Sequence, residues 1–309
     1  QPGGWYFEFN NRFYPDVDDT IMVIMALRRA LSPKHDAEFY AAYSAFEGEI
    51  AAVIAHNEQH KSSAVTEVES VRPVLEAINR GTRWALGMQN SDGGWGAFDV
   101  DNNREILTRV PFADHNAMID PSWPDISARV LEMLAHIGFT REHPQVERAL
   151  EYIFAHQEAD HSWFGRWGVN YIYGTWQTVV GLRAIGIPPH DPRIEGAVAW
   201  FKSTQQSCGG WGETPRSDDD PSLRGQGPVT PSQTAWALLG LLAAGEENSS
   251  TVLRGIDYLI ETQLPDGTWE ETQFTGTGFP RVFYLRYHYY RLYFPLMALA
   301  RAAAARAND

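Results

Sequence analysis

Gln205-Gln206-Ser207-Cys208-Gly209-Gly210-Trp211 is one of four stretches in which a Gln is followed, after five residues, by a Trp. The others run Gln89–Trp95, Gln157–Trp163 and Gln263–Trp269. An aromatic residue stands five positions before each Gln: Trp84, Tyr152, Trp200 and Tyr258. Gly precedes the Trp by two positions as Gly93, Gly209 and Gly267, and His161 takes that place in the remaining copy. A Gln at a helix end can bond orphan backbone groups. A Trp arriving after the turn can pack on that end and donate its indole N–H. Each unit therefore reads as a helix, a Gly-containing turn and a following apolar helix. One unit alone cannot bury its apolar face, so neighbours must stack.

Between the turns, apolar residues recur at helical spacing over 20–30, 126–137, 146–156, 177–185, 194–204, 231–244 and 252–262. Ile187-Pro188-Pro189 and His190-Asp191-Pro192 punctuate them. Strand alternation is scarce. The expectation is an all-α chain, an (α/α)6 barrel or toroid of paired helices carrying Gln-x5-Trp repeats. Residues 33–76, rich in Ala and Glu, read as an inserted helical excursion without assigned chemistry. Gly3-Gly4-Trp5 matches the end of a repeat whose Gln would precede it, so residues 1–309 read as one catalytic domain, a fragment lacking an N-terminal barrel domain.

A chain of 309 residues, 44% hydrophobic, can bury a large core. Its net charge of −14 argues against a nucleic-acid partner, and any contact with anionic lipid must be apolar and local. Cys208 is the single cysteine, which excludes an internal disulfide and a cysteine-built zinc site. No metal is expected: the histidines show no metal-ligand spacing, and no magnesium-type D-D-x-x-D run exists. Asp218-Asp219-Asp220 reads as a solvated loop rather than a metal loop. Asp99-Val100-Asp101 lacks the Gly and closing Glu of a calcium loop. Tyr284–Phe294, with Arg281, Arg286 and Arg291, reads as a helix with snorkelling Arg stems.

The chemistry-bearing stretch is Pro15-Asp16-Val17-Asp18-Asp19-Thr20, directly before an apolar helix. Asp caps helix starts, where free N–H groups and the positive dipole end meet it. Three Asp in four positions exceed what capping requires. Crowded carboxylates cannot all ionise, so one retains a proton at neutral pH. A positioned acid beside an apolar hollow can protonate an alkene, and aromatic faces can stabilise the resulting cation without trapping it.

These residues resemble the D-x-D-D-T signature of class II terpene cyclases, and the four Gln-x5-Trp units resemble the repeats of squalene–hopene and oxidosqualene cyclases. Gly165–Tyr171, Thr230–Trp236 and Gly276–Pro280 are similar to segments of the bacterial squalene–hopene branch. The resemblance implies an intramolecular transferase that cyclises squalene or a similar acyclic triterpene without a cofactor. It implies a monotopic protein on the cytoplasmic face of the inner membrane, with the active cavity shared with the missing half. It assigns Asp18 as proton donor, Asp16 and Asp19 as its tuners, and Asp125 and Tyr173 to the acid cluster and its water network. Phe7, Phe279 and Phe283 fall at cation-stabilising positions, and Trp95, Trp167, Tyr287 and Tyr290 in the cavity wall or in the layer directly behind it. Phe98 stands where a characterised type has Tyr. Arg129 stands where that type has His; it cannot relay a proton, and would pair with Asp125 or steady the anion. Reprotonation would then run through water near Tyr173. Two rivals are a non-catalytic toroid binding lipid or protein, which has no use for a protonated carboxylate, and a prenyltransferase-like toroid, which needs zinc.

Overall fold

The computed structural model describes residues 3–7, 13–31, 65–104, 106–107 and 118–307. Among them the chain alternates between two layers of α-helix. The inner layer comprises α1 (Val17–Ala30), α3 (Pro124–His136), α5 (Tyr171–Ala184), α7 (Pro231–Ala243) and α9 (Tyr290–Ala307). The outer layer comprises α2 (Val65–Gly87), α4 (Pro144–Ala155), α6 (Pro192–Thr204) and α8 (Ser250–Glu261). Burial separates the layers. All of Tyr171–Leu182 and Pro231–Leu241 is buried, whereas α4 and α8 bury one stripe each, such as Val252, Gly255, Ile256 and Leu259. Inner helices pack in the order α1, α3, α5, α7, α9, and α1, α3, α5 and α7 each also pack on the outer helix that follows. This is the α/α toroid anticipated from the repeats.

The repeat turns are built alike. The indole N–H groups of Trp95, Trp163, Trp211 and Trp269 donate to the carbonyls of Ala85, Ile153, Phe201 and Leu259, at 2.7–2.9 Å, in the last turn of the preceding outer helix. The Trp backbone N–H donates to a hydroxyl in the first turns of the next inner helix: Trp95 to Ser127, Trp163 to Thr175, Trp211 to Thr234. Trp5 does the same to Thr20, so Gly3-Gly4-Trp5 behaves as a repeat end. Gly93, Gly209 and Gly267 lie at φ +93, +90 and +84, and His161 holds the same turn at +71. That explains why Gly dominates the position.

Three expectations on the elements need correction. Residues 65–76 form the first half of α2, which packs on α1; 32–64 lie outside the described residues. α5 starts at Tyr171 rather than near Gln177, because Glu213 accepts the N–H groups of Asn170, Tyr171 and Ile172 at 2.9–3.1 Å and caps the helix from far along the chain. Tyr284–Phe294 is not one helix. Phe283–Leu285 is strand β2, antiparallel to β1 (Gly276–Phe279) across a turn with Arg281 at φ 64, and α9 begins at Tyr290. Asp218, read as solvated, is buried. Its carboxylate accepts from Arg281 Nε at 3.3 Å and Tyr284 Oη at 3.0 Å, tying down the hairpin; Asp219 and Asp220 are exposed. No helix among the described residues is long and apolar enough to cross a membrane.

Candidate active site

The outer-to-inner turns place the first residues of α1, α3, α5 and α7 at one end of the toroid, and the acidic motif is the start of α1. Asp16 is its N-cap: Oδ1 accepts the Asp19 N–H at 2.7 Å, and its own N–H donates to Trp5 O at 2.9 Å. Asp16 is buried, and burial, reinforced by the Asp19 side chain, pushes its carboxyl up to about 8. Asp18, two residues into the helix, has its side chain 23% exposed and accepts a charged hydrogen bond from Arg129 Nη1 on α3. Burial raises the Asp18 carboxyl, and the guanidinium pulls against it. Burial thus favours the protonated form, while the anion left by proton loss is already paired with a cation. Burial works against the Arg129 charge, but Asp18, Tyr173 and Glu132 hold it above its ordinary value. Arg129 thus acts on Asp18; the alternative pairing with Asp125 is not what forms.

Asp125, one turn before Arg129, is wholly buried. Its Oδ2 accepts the Arg166 N–H at 2.7 Å, while Oδ1 is buried without a partner among the described residues. Burial lifts this carboxyl to about 6 against the pull of the Arg166 and Ile126 N–H groups. Tyr173 is buried on α5, raised mainly by desolvation and under the opposing fields of Arg129 and Asp18. A Cβ on Gly168 would lie 2.2 Å from its ring, so the loop before α5 can close on the phenol only with Gly there.

From Tyr173 an unbroken set of rings leads to α9. Tyr173 meets Trp236 edge-on at 5.0 Å and Trp176 at 5.5 Å; Trp236 meets Tyr290 at 5.8 Å; Tyr290 meets Tyr287 at 4.7 Å and Phe294 at 5.0 Å. A second set lies under the β1–β2 hairpin. Phe279 and Phe283 are 5.8 Å apart, and the Arg166 guanidinium stacks over Trp167 at 4.1 Å and Phe279 at 5.0 Å while donating to Gly278 O. Phe98 meets Trp167 edge-on at 6.0 Å.

Of the residues expected here, Asp16, Asp18, Asp19, Asp125, Arg129 and Tyr173 are brought together around the starts of α1, α3 and α5. Tyr287 and Tyr290 join the first ring set; Trp167, Phe98, Phe279 and Phe283 form the second. Trp95 is enclosed by the core and serves its repeat turn. Phe7 is exposed. Sequence reading missed Trp176, Trp236, Phe294 and Arg166. Two of these had a signal: Trp176 follows Tyr173 by three positions and Phe294 follows Tyr290 by four, one helix face each. No group of three or more His, Cys, Asp or Glu among the described residues is placed to hold a metal ion.

Fold and site together define a helical toroid that gathers buried carboxyls beside a set of aromatic rings. Comparison then assigns the family. The description "Squalene-hopene cyclase C-terminal domain" matches residues 1–54 and 51–304, and the chain belongs to that family. It is 45% identical to a probable squalene–hopene cyclase of Sinorhizobium fredii, covering 100% of this chain and 43% of the relative. It is 43% identical to the squalene–hopene cyclase of Alicyclobacillus acidocaldarius, covering 97% and 42%. The chain thus spans less than half the length of these relatives. Among solved structures, the type II terpene cyclase MstE from Scytonema shares the fold, with a TM-score of 0.55 at 18% identity over 99% of this chain and 78% of that one.

Proposed function

We propose that this chain is the acid-bearing part of a class II triterpene cyclase of the squalene–hopene type, an isomerase. The observation that carries the reading is the carboxyl set at the start of α1, with Asp16 buried, Asp18 paired to Arg129, and the Tyr173–Trp236–Tyr290 rings alongside. The substrate is squalene or a similar acyclic triterpene. Asp18 transfers its proton to a terminal alkene; the new C–H bond takes the alkene π pair, and a tertiary carbocation forms. Neighbouring alkenes close rings onto it in turn. Loss of a proton, or capture of water, ends the sequence. The carboxylate left on Asp18 is stabilised by Arg129 and by the positive end of α1. The rings stabilise travelling positive charge without offering a nucleophile.

Arg129 stays charged throughout, so the returning proton reaches Asp18 through water held near Tyr173 and the unpartnered Asp125 Oδ1. Such a hydrocarbon partitions into lipid, which supports delivery from a membrane surface; the cytoplasmic face of the inner membrane rests on the resemblance alone. The remainder of the polypeptide would complete the cavity. In the complete protein, Asp18→Asn should abolish cyclised product, read by gas chromatography, while leaving the circular dichroism spectrum unchanged. Persisting product would remove Asp18 from the role.

A further inference from the structure

The hairpin that carries Phe279 and Phe283 is a two-stranded sheet of β1 and β2. A hairpin of two strands is marginal in water, so its register needs support from outside. β1 has such support. The Val169 N–H donates to Thr275 O at 2.9 Å, the Thr277 N–H to Trp167 O at 3.0 Å, and Arg166 to Gly278 O at 2.9 Å. These bonds fix β1 to the loop before α5. β2 and the turn between the strands take part in none of them. The rings nevertheless depend on that side of the hairpin. A Cβ on Gly278 would lie 1.9 Å from the Phe283 ring, so Phe283 seats on β1 only while the two strands hold their register.

Asp218 supplies what β2 lacks. It ends the short 3-10 turn Pro215–Asp218, and its side chain is 3% exposed. A carboxylate so enclosed must be paired. Among the described residues, both hydrogen bonds that its oxygens accept come from the hairpin: Arg281 Nε donates to Oδ1 at 3.3 Å and Tyr284 Oη to Oδ2 at 3.0 Å. Arg281 Nη2 also donates to Asp218 O at 3.2 Å. Arg281 stands at φ 64, a conformation that disfavours any side chain, and the ion pair helps to hold it there. The other side of the same turn is bonded to the cap of α5. Asn170 Nδ2 donates to Pro215 O at 3.2 Å and to Ser217 Oγ at 3.0 Å, three residues before Tyr173. The turn therefore bridges the hairpin tip and the helix that carries Tyr173.

We propose that Asp218 is a positioning residue for the cyclisation: it latches the hairpin tip to the start of α5 and so sets where the Phe279 and Phe283 rings meet the cation. The inference deepens the cyclase reading and rests on it. A neutral alkene gains little from a ring face, whereas a cation gains much. The rings therefore act after proton transfer, on the competition between closing the next ring and losing a proton. A loosened latch leaves protonation by Asp18 in place and lets proton loss win earlier. In such an exit a C–H bond beside the cationic carbon breaks, its electron pair becomes the new alkene, and the proton passes to water or a carboxylate. The product keeps the formula of the substrate and has fewer rings.

The test uses the complete polypeptide with squalene as the probe, and reads products by gas chromatography with mass spectrometry. Asp218→Asn keeps the shape of the side chain and removes its charge. It should raise the ratio of incompletely to fully cyclised products by about fivefold, the scale of weakening one cation–ring contact, while squalene consumption falls by less than about threefold. Tyr284→Phe removes only the hydroxyl and should move the ratio the same way; it carries the test where circular dichroism shows Asp218→Asn unfolded. In a Phe279→Ala/Phe283→Ala background, Asp218→Asn should leave the ratio unmoved, because the latch has no rings left to place. An unchanged ratio in the folded variant, an equal loss of every product, or a further shift in the double-Ala background overturns the proposal alone. A parent that leaves squalene unconsumed overturns the cyclase reading, and the proposal with it.

Discussion

The glutamines of the four repeat turns are unequal in the hydrogen bonds they make, and replacing each by Ala exposes the inequality. Gln89 is buried and makes three hydrogen bonds: Nε2 to Gly93 O and Gln145 O, both 2.8 Å, and Oε1 from Arg148. Each intramolecular hydrogen bond contributes about 1 kcal/mol net, and more where a buried partner is left unsatisfied. Gln89→Ala should therefore cost about 3 kcal/mol. Gln157 makes two such bonds, to His161 O and Arg193 O, and its loss should cost about 2 kcal/mol. Gln263, with one exposed bond in the 309-residue chain, should cost about 0.5 kcal/mol or less there. Urea unfolding followed by tryptophan fluorescence measures the series, since Trp95 sits in the Gln89 turn. Equal losses at Gln89 and Gln263 would refute the reasoning, because they would mean that the glutamines act only inside their own turns.

Four further outcomes follow from the geometry. Asp125 has its pKa raised from 3.8 to about 6, so its contribution to stability is full below pH about 4 and disappears as pH rises through 6. Asp125→Asn should then gain on the parent by about 2 kcal/mol between pH 4 and pH 7, and parallel urea midpoints across that range would contradict the burial argument. Asp16, raised to about 8, should give a fall in turnover above that pH, and Asp16→Asn should shift that limb; an unmoved limb would assign it to another group. Arg129→Gln should lose at least 100-fold in turnover while Arg129→Lys retains part of it, on the scale of one preorganised electrostatic partner; equal rates would show the charge on Arg129 to be idle. His161→Gly should raise stability by about 0.5–1 kcal/mol by relieving a left-handed residue, whereas Gly209→Ala, strained and 2.5 Å from Arg254 O, should destabilise by more than that, both read by thermal unfolding.

Much of this architecture was legible because it repeats. The Gln–Trp spacing marks where each outer helix ends, and the indole finds the carbonyl ten residues earlier in all four copies. The acid stretch was legible because three Asp at a helix start exceed any capping need. What escaped depends on distant partners. Nothing near Tyr171 announces a helix start, since the cap is Glu213, more than forty residues on. Asp218 looks solvated in a run of three acids until Arg281 and Tyr284 are folded onto it. The choice of Arg129 between Asp18 and Asp125 could not be read from helical spacing, which favoured Asp125, because Asp18 approaches across the α1–α3 contact. Trp236 falls inside the apolar stretch 231–244 and Trp176 just ahead of 177–185, and only their stacking between Tyr173 and Tyr290 shows the wall they make.

The acids are also distributed by the ring. Asp18 opens α1, Asp125 opens α3, Glu213 caps α5, and Glu271 accepts the Ser232 N–H at the start of α7. Carboxyl groups are thus gathered where four positive dipole ends converge, so that any charge formed on them meets those ends. The barrel consequently has a polarity along its axis, like a battery with one terminal fixed in the backbone. In the proposed reaction, an anion formed at that terminal would be held by the scaffold itself, while the positive charge would move from ring to ring.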